Sequence, residues 1–497
     1  MKSEVRRAVL VAIASVGVAA LAHADPRLLE VLKDGNRDAA LELIASGANV
    51  NERAPDDATA LHWAAYNGDA DLVKRLIERG ADVRATSKYG ASAMSLAAAS
   101  ADRSVIEALL KGGADVDSPN AEGQTALMLV ARTGRVDTAK LLIKRGAKVN
   151  AAEQWRGQTA LMWAAAQKQP EMVELLLAHG ANPNARSAVN HWQRTATAEA
   201  RLQYRPSGGL TALLFAAREG CVACVQALAK HKADLDLADP DGITPLLMAT
   251  LNARFDTAAA LLEAGANPNR WDKWGRAPLY ATVDYNTLPT GGRPDRPPLD
   301  AVTGAQLIER LLQAGANPNM QLKLLPPYRD LRQDRAGDRM LSVGTTALIR
   351  AAKTGDVEAT RLLLAHGADP NLPNSAGLSP LHAAAGAGST RLDTRGRNRT
   401  EGPCLEVAKL LLAAGADISA VDRAGQTPLY GAAGWGWNEL IRYLVANGAK
   451  PDAKDEKGFT PVDAAMGKVA GPVRAGIAPD VHQDTAQLLQ QLAAATP

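Results

Sequence analysis

Cys221-Val222-Ala223-Cys224 sets two thiols three residues apart, a spacing open to a disulfide, a redox couple or half of a zinc site. A zinc site needs further ligands at matching spacing, and none follows. No strand of the kind that leads into a thioredoxin-type motif precedes the pair. Cys221 shares a recurring position with Cys404, and Cys224 falls in an apolar slot of a helix. The two are therefore expected to pack as small buried apolar side chains, with no essential disulfide. The eight histidines carry no site either. His62 and His382 share one recurring position, and His179, His231 and His366 share another near helix ends. His191 and His482 stand alone and far apart, too few for metal binding. Nucleophile-elbow, Walker, zinc-protease and dinucleotide fingerprints are absent, so no catalytic residue, metal ligand or cofactor is expected.

The residue types that remain are arginines and aromatics in irregular stretches. Trp192, Arg194 and Tyr204 stand in one, Tyr328, Arg329 and Arg332 in a second, Arg395 and Arg397 in a third. Trp271 and Trp274 stand in a short turn segment. Arg and aromatic side chains dominate the energetics of binding surfaces, so these ten are the candidate partner contacts.

The elements that position them recur along the chain. "TALHWAAYNGDADLVKRLIERGADV" begins at Thr59, and related openings fall at 92, 125, 159, 211, 244, 277, 346, 379, 427 and 460. Most steps are 33 residues. A weaker copy precedes them, which makes about twelve units. Thr59 suits a helix N-cap, and Pro at the next position in later copies suits the first helical turn. Leu61, Ala64 and Ala65 form a narrow apolar stripe, and Leu72, Val73, Leu76 and Ile77 form a facing one. Gly80 suits a left-handed C-cap. Two helices of about ten residues cannot bury both faces alone, whereas stacked copies can.

This pattern resembles the ankyrin repeat in its T-P-L-H-x-A-like opening and its period. The resemblance runs from residue 25 to about 497. It implies an all-α solenoid of helix-turn-helix units with projecting β-hairpin fingers. The irregular steps also resemble those of exported bacterial ankyrin proteins that carry long insertions. On this reading residues 25–497 are a single solenoid with insertions near 187–207, 284–303, 320–342 and 387–403. Long loops in compact arrays are functional or disordered, and the Arg and aromatic content favours function.

Residues 1–24 are excluded from the fold. Lys2, Arg6 and Arg7 precede the apolar stretch Ala8 to Ala22 and the Ala22-His23-Ala24 site, the three parts of a secretory signal peptide. Cleavage is expected after Ala24, with a bacterial periplasmic or secreted destination and no membrane insertion of the mature chain. Fifty-six basic against fifty-three acidic residues give no global reason to expect nucleic acid as partner. The chain is expected to be a non-catalytic interaction module that binds another protein through its concave groove and insertion loops. A binder of a small anionic ligand or polyanion is the alternative, with an enzyme built from the insertions last.

Overall fold

A computed structural model describes residues 27–190, 207–286, 300–324, 343–387, 400–468 and 480–495. The four expected insertions fall largely outside these residues, as does the signal segment. The chain divides into two compact units, Met1–Ala188 and Val189–Pro497. Among the described residues the first unit holds five helix pairs, from Leu28–Lys33 with Arg37–Ala45 to Ala160–Ala166 with Pro170–Ala178. The second holds seven, from Ala212–Glu219 with Val222–Lys230 to Pro461–Ala465 with Gln483–Ala495. Numbering the pairs in chain order gives repeats one to five in the first unit and six to twelve in the second. Within each unit the first helices pack side by side, and so do the second helices.

The local chemistry explains each pair. Thr159, Thr211, Thr244 and Thr346 accept the N–H three residues on, so each first helix starts capped. Leu61, Ala64 and Ala65 are fully buried against Leu72, Val73 and Leu76 of the same repeat and its neighbours. Small first-helix residues let the second helix come close, which is why so few aromatics suffice. At the end of the second helix, Gly80 takes a φ of 83°, and Ala81 N–H reaches back to the Leu76 carbonyl at 2.9 Å. That is a Schellman closure. Lys232 holds the same left-handed conformation without glycine's freedom, at a φ of 61°.

Between repeats the chain forms fingers that carry isolated bridges, Thr86 to Ser92, Ala152 to Thr159 and Val189 to Gly208, in place of regular strands. Asp239 takes the N–H groups of Asp241 and Ile243, closing its own finger tip. Lys273 N–H then reaches the Asp241 carbonyl of the preceding finger at 2.9 Å. Each finger tip is thus closed on itself and tied to its neighbour.

A second coupling runs through asparagine. The Asn51 amide donates to the Gly80 carbonyl at 2.9 Å and accepts from Asp82 N–H at 2.8 Å, joining repeat one to repeat two. Asn150, Asn269, Asn319 and Asn371 make the same two-point clamp on the following repeat. In two other repeats Asp117 and Asp236 hold the equivalent place, and each carboxylate accepts the next repeat's N–H. The asparagine four residues after the helix-closing glycine is thus an inter-repeat fastener at 51, 150, 269, 319 and 371.

Candidate functional site

The face of the first helices away from the core decides what each unit can touch. In the first unit, the residue four places after each opening position is Trp63, Leu96, Leu129 and Trp163. Because repeats two to five pack their first helices in order, these four side chains form one row. Trp63, Leu96 and Trp163 are half-buried, while Leu61 and Leu161 on the opposite side are fully buried. Tyr66 meets Trp63 edge-on at 6.2 Å. The Arg132 guanidinium lies 5.8 Å from the Trp163 ring centroid, within cation–π range. The Trp163 indole N–H is buried and has no hydrogen-bond partner. An apolar row with one cation beside it suits apolar side chains and a carbonyl or carboxylate from a partner.

His62 flanks this row but takes no part in chemistry. Its Nδ1 accepts from Thr59 N–H at 3.1 Å, and its Nε2 lies 2.9 Å from the Ala91 carbonyl. A carbonyl can only accept, so Nε2 carries the proton and both ring nitrogens are committed. His382 repeats the arrangement with Ser379 and the Gln426 carbonyl at 3.0 Å. Burial pushes both imidazoles below the usual histidine value of 6.5, against the pull of those carbonyls. Folded-state values below the unfolded value mean that the unfolded chain binds more protons under mildly acidic conditions. Stability from these two groups is fully present above about pH 6.5 and is lost as pH falls through the lowered folded values. A His62→Gln, His382→Gln chain is expected to show a shallower loss of urea midpoint than the parent as pH falls below about 6.5. Equal slopes would show that the rings do not carry the dependence.

In the second unit the equivalent row changes character. Phe215 and Met248 give way to Ala281 and then to Arg350, whose side chain is 1% exposed. Its Nε lies 2.5 Å from an Asp284 carboxylate oxygen on the preceding repeat, and its Nη2 is buried with no hydrogen-bond partner. Lys353, one turn on, is also buried. Asn286 donates to Asp356 at 2.6 Å, and Asp356 in turn caps the second helix of repeat nine. The sequence carried a signal for Arg350. Aligned slot by slot, it stands where most other repeats place an apolar or small residue.

Of the ten candidate contacts, Trp271 and Trp274 lie among the described residues. Trp192, Arg194, Tyr204, Tyr328, Arg329, Arg332, Arg395 and Arg397 lie outside them. The two tryptophans share a finger but not a surface. Trp274 is buried, with Lys273 Nζ 4.5 Å and Arg276 Cζ 4.8 Å from its ring centroid. Its carbonyl takes the N–H groups of Lys323 and Leu324. Beneath it Asp272 accepts from Trp274 N–H and pairs with Arg276 at 2.6 Å. Burial pushes the Asp272 carboxyl up, and Arg276 pulls it partly back. Trp271 remains 43% exposed under the Lys323 ammonium, 3.3 Å from its ring centroid. In the first unit Trp155, 77% exposed, and Tyr89 are open aromatics on fingers, and sequence reasoning passed over Tyr89.

The cysteine expectation is corrected in one respect. Cys221 and Cys224 are both buried, as packing requires, but they are joined as a disulfide. Cys221 is the N-cap residue of Val222–Lys230 and Cys224 its third residue, where Leu72 and Met172 stand in other repeats. N-cap and third-residue side chains meet in a capping box, and here the Cα atoms are 5.2 Å apart. The N-cap and third-residue positions bring the sulfurs together. Cys404 is free and buried.

Among the described residues no group of three or more His, Cys, Asp or Glu could hold a metal ion. No described helix is long and apolar enough to cross a membrane.

The stacked helix pairs, their finger connections and their open rows define a tandem-repeat binding scaffold. The chain belongs to the ankyrin-repeat family: the model described as "Ankyrin repeats (3 copies)" matches residues 28–120, 94–187, 189–272, 301–392 and 400–474, and the single-repeat model matches 376–423. The chain is similar to the putative ankyrin repeat protein YahD of Escherichia coli, 28% identical over 180 residues, which are 34% of this chain and 87% of that one. It is also similar to the human transient receptor potential cation channel subfamily A member 1, 28% identical over 36% of this chain. A third relative is the mouse B-cell lymphoma 3 protein homolog, 29% identical over 35% of this chain. The matched stretch spans 13% of the human channel and 32% of the mouse protein. The crystal structure of the human ASB11 ankyrin repeat domain matches 49% of this chain and all of its own, at 23% identity and a TM-score of 0.41.

Proposed function

We propose that this chain is a non-catalytic module that binds another protein through the first-helix row of its first unit, assisted by the Arg- and aromatic-bearing insertions of the second. Ankyrin repeats generally mediate protein–protein interaction. The observation that carries the reading here is the Trp63, Leu96, Leu129 and Trp163 row, with the Arg132 cation beside it. Half-buried tryptophans on a face that the fold does not need are the residue type that binding surfaces favour.

The test compares affinity with stability. Trp63→Ala and Trp163→Ala are each expected to weaken partner binding by about 2 kcal/mol, roughly thirtyfold, with little change in the melting curve. The partner is first captured on the parent chain from a bacterial envelope extract and then titrated against each variant by calorimetry. Unchanged affinity in both variants would remove the row from the interface. Chains with 187–207 and 322–342 cut to ordinary finger length separate the two contributions. Loss of binding with an intact melt would assign recognition to Trp192, Tyr328 and their arginine neighbours as well.

Residues 1–24 support an exported location, with cleavage after Ala24. N-terminal sequencing of the native protein checks this directly, and a soluble cytoplasmic chain that retains residues 1–24 would refute it. A small anionic ligand or polyanion held by the Arg-rich insertions, Arg329, Arg332, Arg395 and Arg397 among them, is the second reading. In that case affinity falls steeply with ionic strength, whereas an apolar row is nearly indifferent to salt.

A further inference from the structure

Cys221 does a job that other repeats give to a carboxylate. Asp69, Asp102 and Asp356 each cap a second helix by accepting the N–H of the third helical residue. In repeat six the Cys221 sulfur accepts from Cys224 N–H at 3.2 Å and is also bonded to the Cys224 sulfur. The cap is therefore covalent in the oxidised state. A helix N-terminus also favours a thiolate, as it favours a carboxylate, so the reduced pair is not penalised at this place. Arg254 of repeat seven lies against Gly220, the residue before Cys221, and adds a nearby cation.

The position within the unit matters as much. Repeat six opens the second unit, and within that unit its helices pack on those of repeat seven. Single repeats of a stack open locally as well as with the whole array. Cys224 is fully buried and Cys221 is 6% exposed, so a reductant reaches the bond when this repeat opens.

We propose that Cys221–Cys224 is a reversible redox site, opened by a dithiol reductant, whose state sets the local stability of repeat six. One thiolate of the dithiol attacks the Cys221 sulfur, the Cys221–Cys224 bond breaks, and its electron pair leaves on Cys224, which takes up a proton. The second thiol of the reductant, as its thiolate, then displaces Cys221 and closes the reductant's own disulfide. The reductant loses two electrons and two protons, and the cysteine pair gains them. The bond closes a very short loop, so little denatured-chain entropy depends on it. Its effect is therefore local.

Hydrogen exchange on the whole chain, purified without reductant and then compared with and without dithiothreitol, tests this. Peptides within 212–230 are expected to exchange about tenfold faster after reduction, while peptides of 60–78 and 347–365 stay unchanged. Differential alkylation should place two new thiols at Cys221 and Cys224, and removal of the dithiol should restore slow exchange. A Cys221→Asp, Cys224→Leu chain carries the carboxylate cap used elsewhere, and its exchange should be slow and indifferent to reductant. Three results would overturn the proposal: equal exchange in both states, bond opening only where the whole second unit exchanges, or free thiols at both positions before any reductant is added.

Discussion

An Asp284→Ala chain is expected to be about 3–5 kcal/mol less stable than its parent. Arg350 sits inside the second unit with 1% of its side chain exposed, and Asp284 holds its Nε at 2.5 Å. Its Nη2 already lacks a partner, so the carboxylate is the group that makes the buried cation tolerable. Removing it leaves a guanidinium out of water and unpaired, the costliest outcome for a buried pair. Replacing both partners has the opposite expectation. Asp284→Leu with Arg350→Met removes two desolvation penalties together, and such exchanges are neutral or stabilising by about 1–4 kcal/mol elsewhere. Urea unfolding followed by circular dichroism, fitted with separate transitions for the two units, reads both changes. If the single and double variants lose the same stability, the pair is not coupled as the geometry requires.

Gly431→Leu is expected to destabilise by about 2 kcal/mol, although leucine is the better helix former by about 0.8 kcal/mol. Gly431 lies in the first helix of repeat eleven, and a Cβ there would stand 2.5 Å from Ala387 N and 2.6 Å from the Ala385 carbonyl oxygen. Both are backbone atoms, so no flexible tip can yield. The turn at 385–387 is also tied to this same helix, because Trp435 donates to the Gly386 carbonyl at 3.0 Å. Gly434, three residues on in the same helix, has nothing within 4 Å of an added Cβ. Gly434→Ala should therefore gain up to about 1 kcal/mol from helix propensity alone. Opposite signs from two glycines on one helix separate packing from propensity, and the same sign for both would refute the packing argument.

Much of the fold was legible because its determinants are local. Thr159 and Thr211 cap helices within three residues of themselves, and Gly80 closes one within four, so each repeat advertises its own boundaries. The narrow stripe of Leu61, Ala64 and Ala65 likewise named its own core face. What stayed hidden depends on distance. Arg350 meets Asp284 across 66 residues, and each asparagine clamp reaches the next repeat, so neither follows from a window of sequence. The disulfide is local yet missed, because two cysteines in repeat slots at a helix start read as packing, and the meeting of N-cap and third-residue side chains there was not weighed. Trp274 read as a candidate partner contact in a finger. It is buried, with Lys273 and Arg276 over its ring, and its carbonyl is bound by Lys323 and Leu324 some fifty residues later.

The asparagine clamps touch only main-chain atoms of the repeat that follows, a glycine carbonyl and an N–H two residues beyond it. Side chains in the recipient are not consulted. Any copy that ends its second helix in the same left-handed turn can therefore be fastened to any copy that brings the asparagine. A duplicated segment inserted in frame would find both connections ready, with no second mutation needed to accept it. The joint is a generic coupling, which leaves the exposed row of each copy free to diverge and makes the length of such a chain easy to inherit and easy to change.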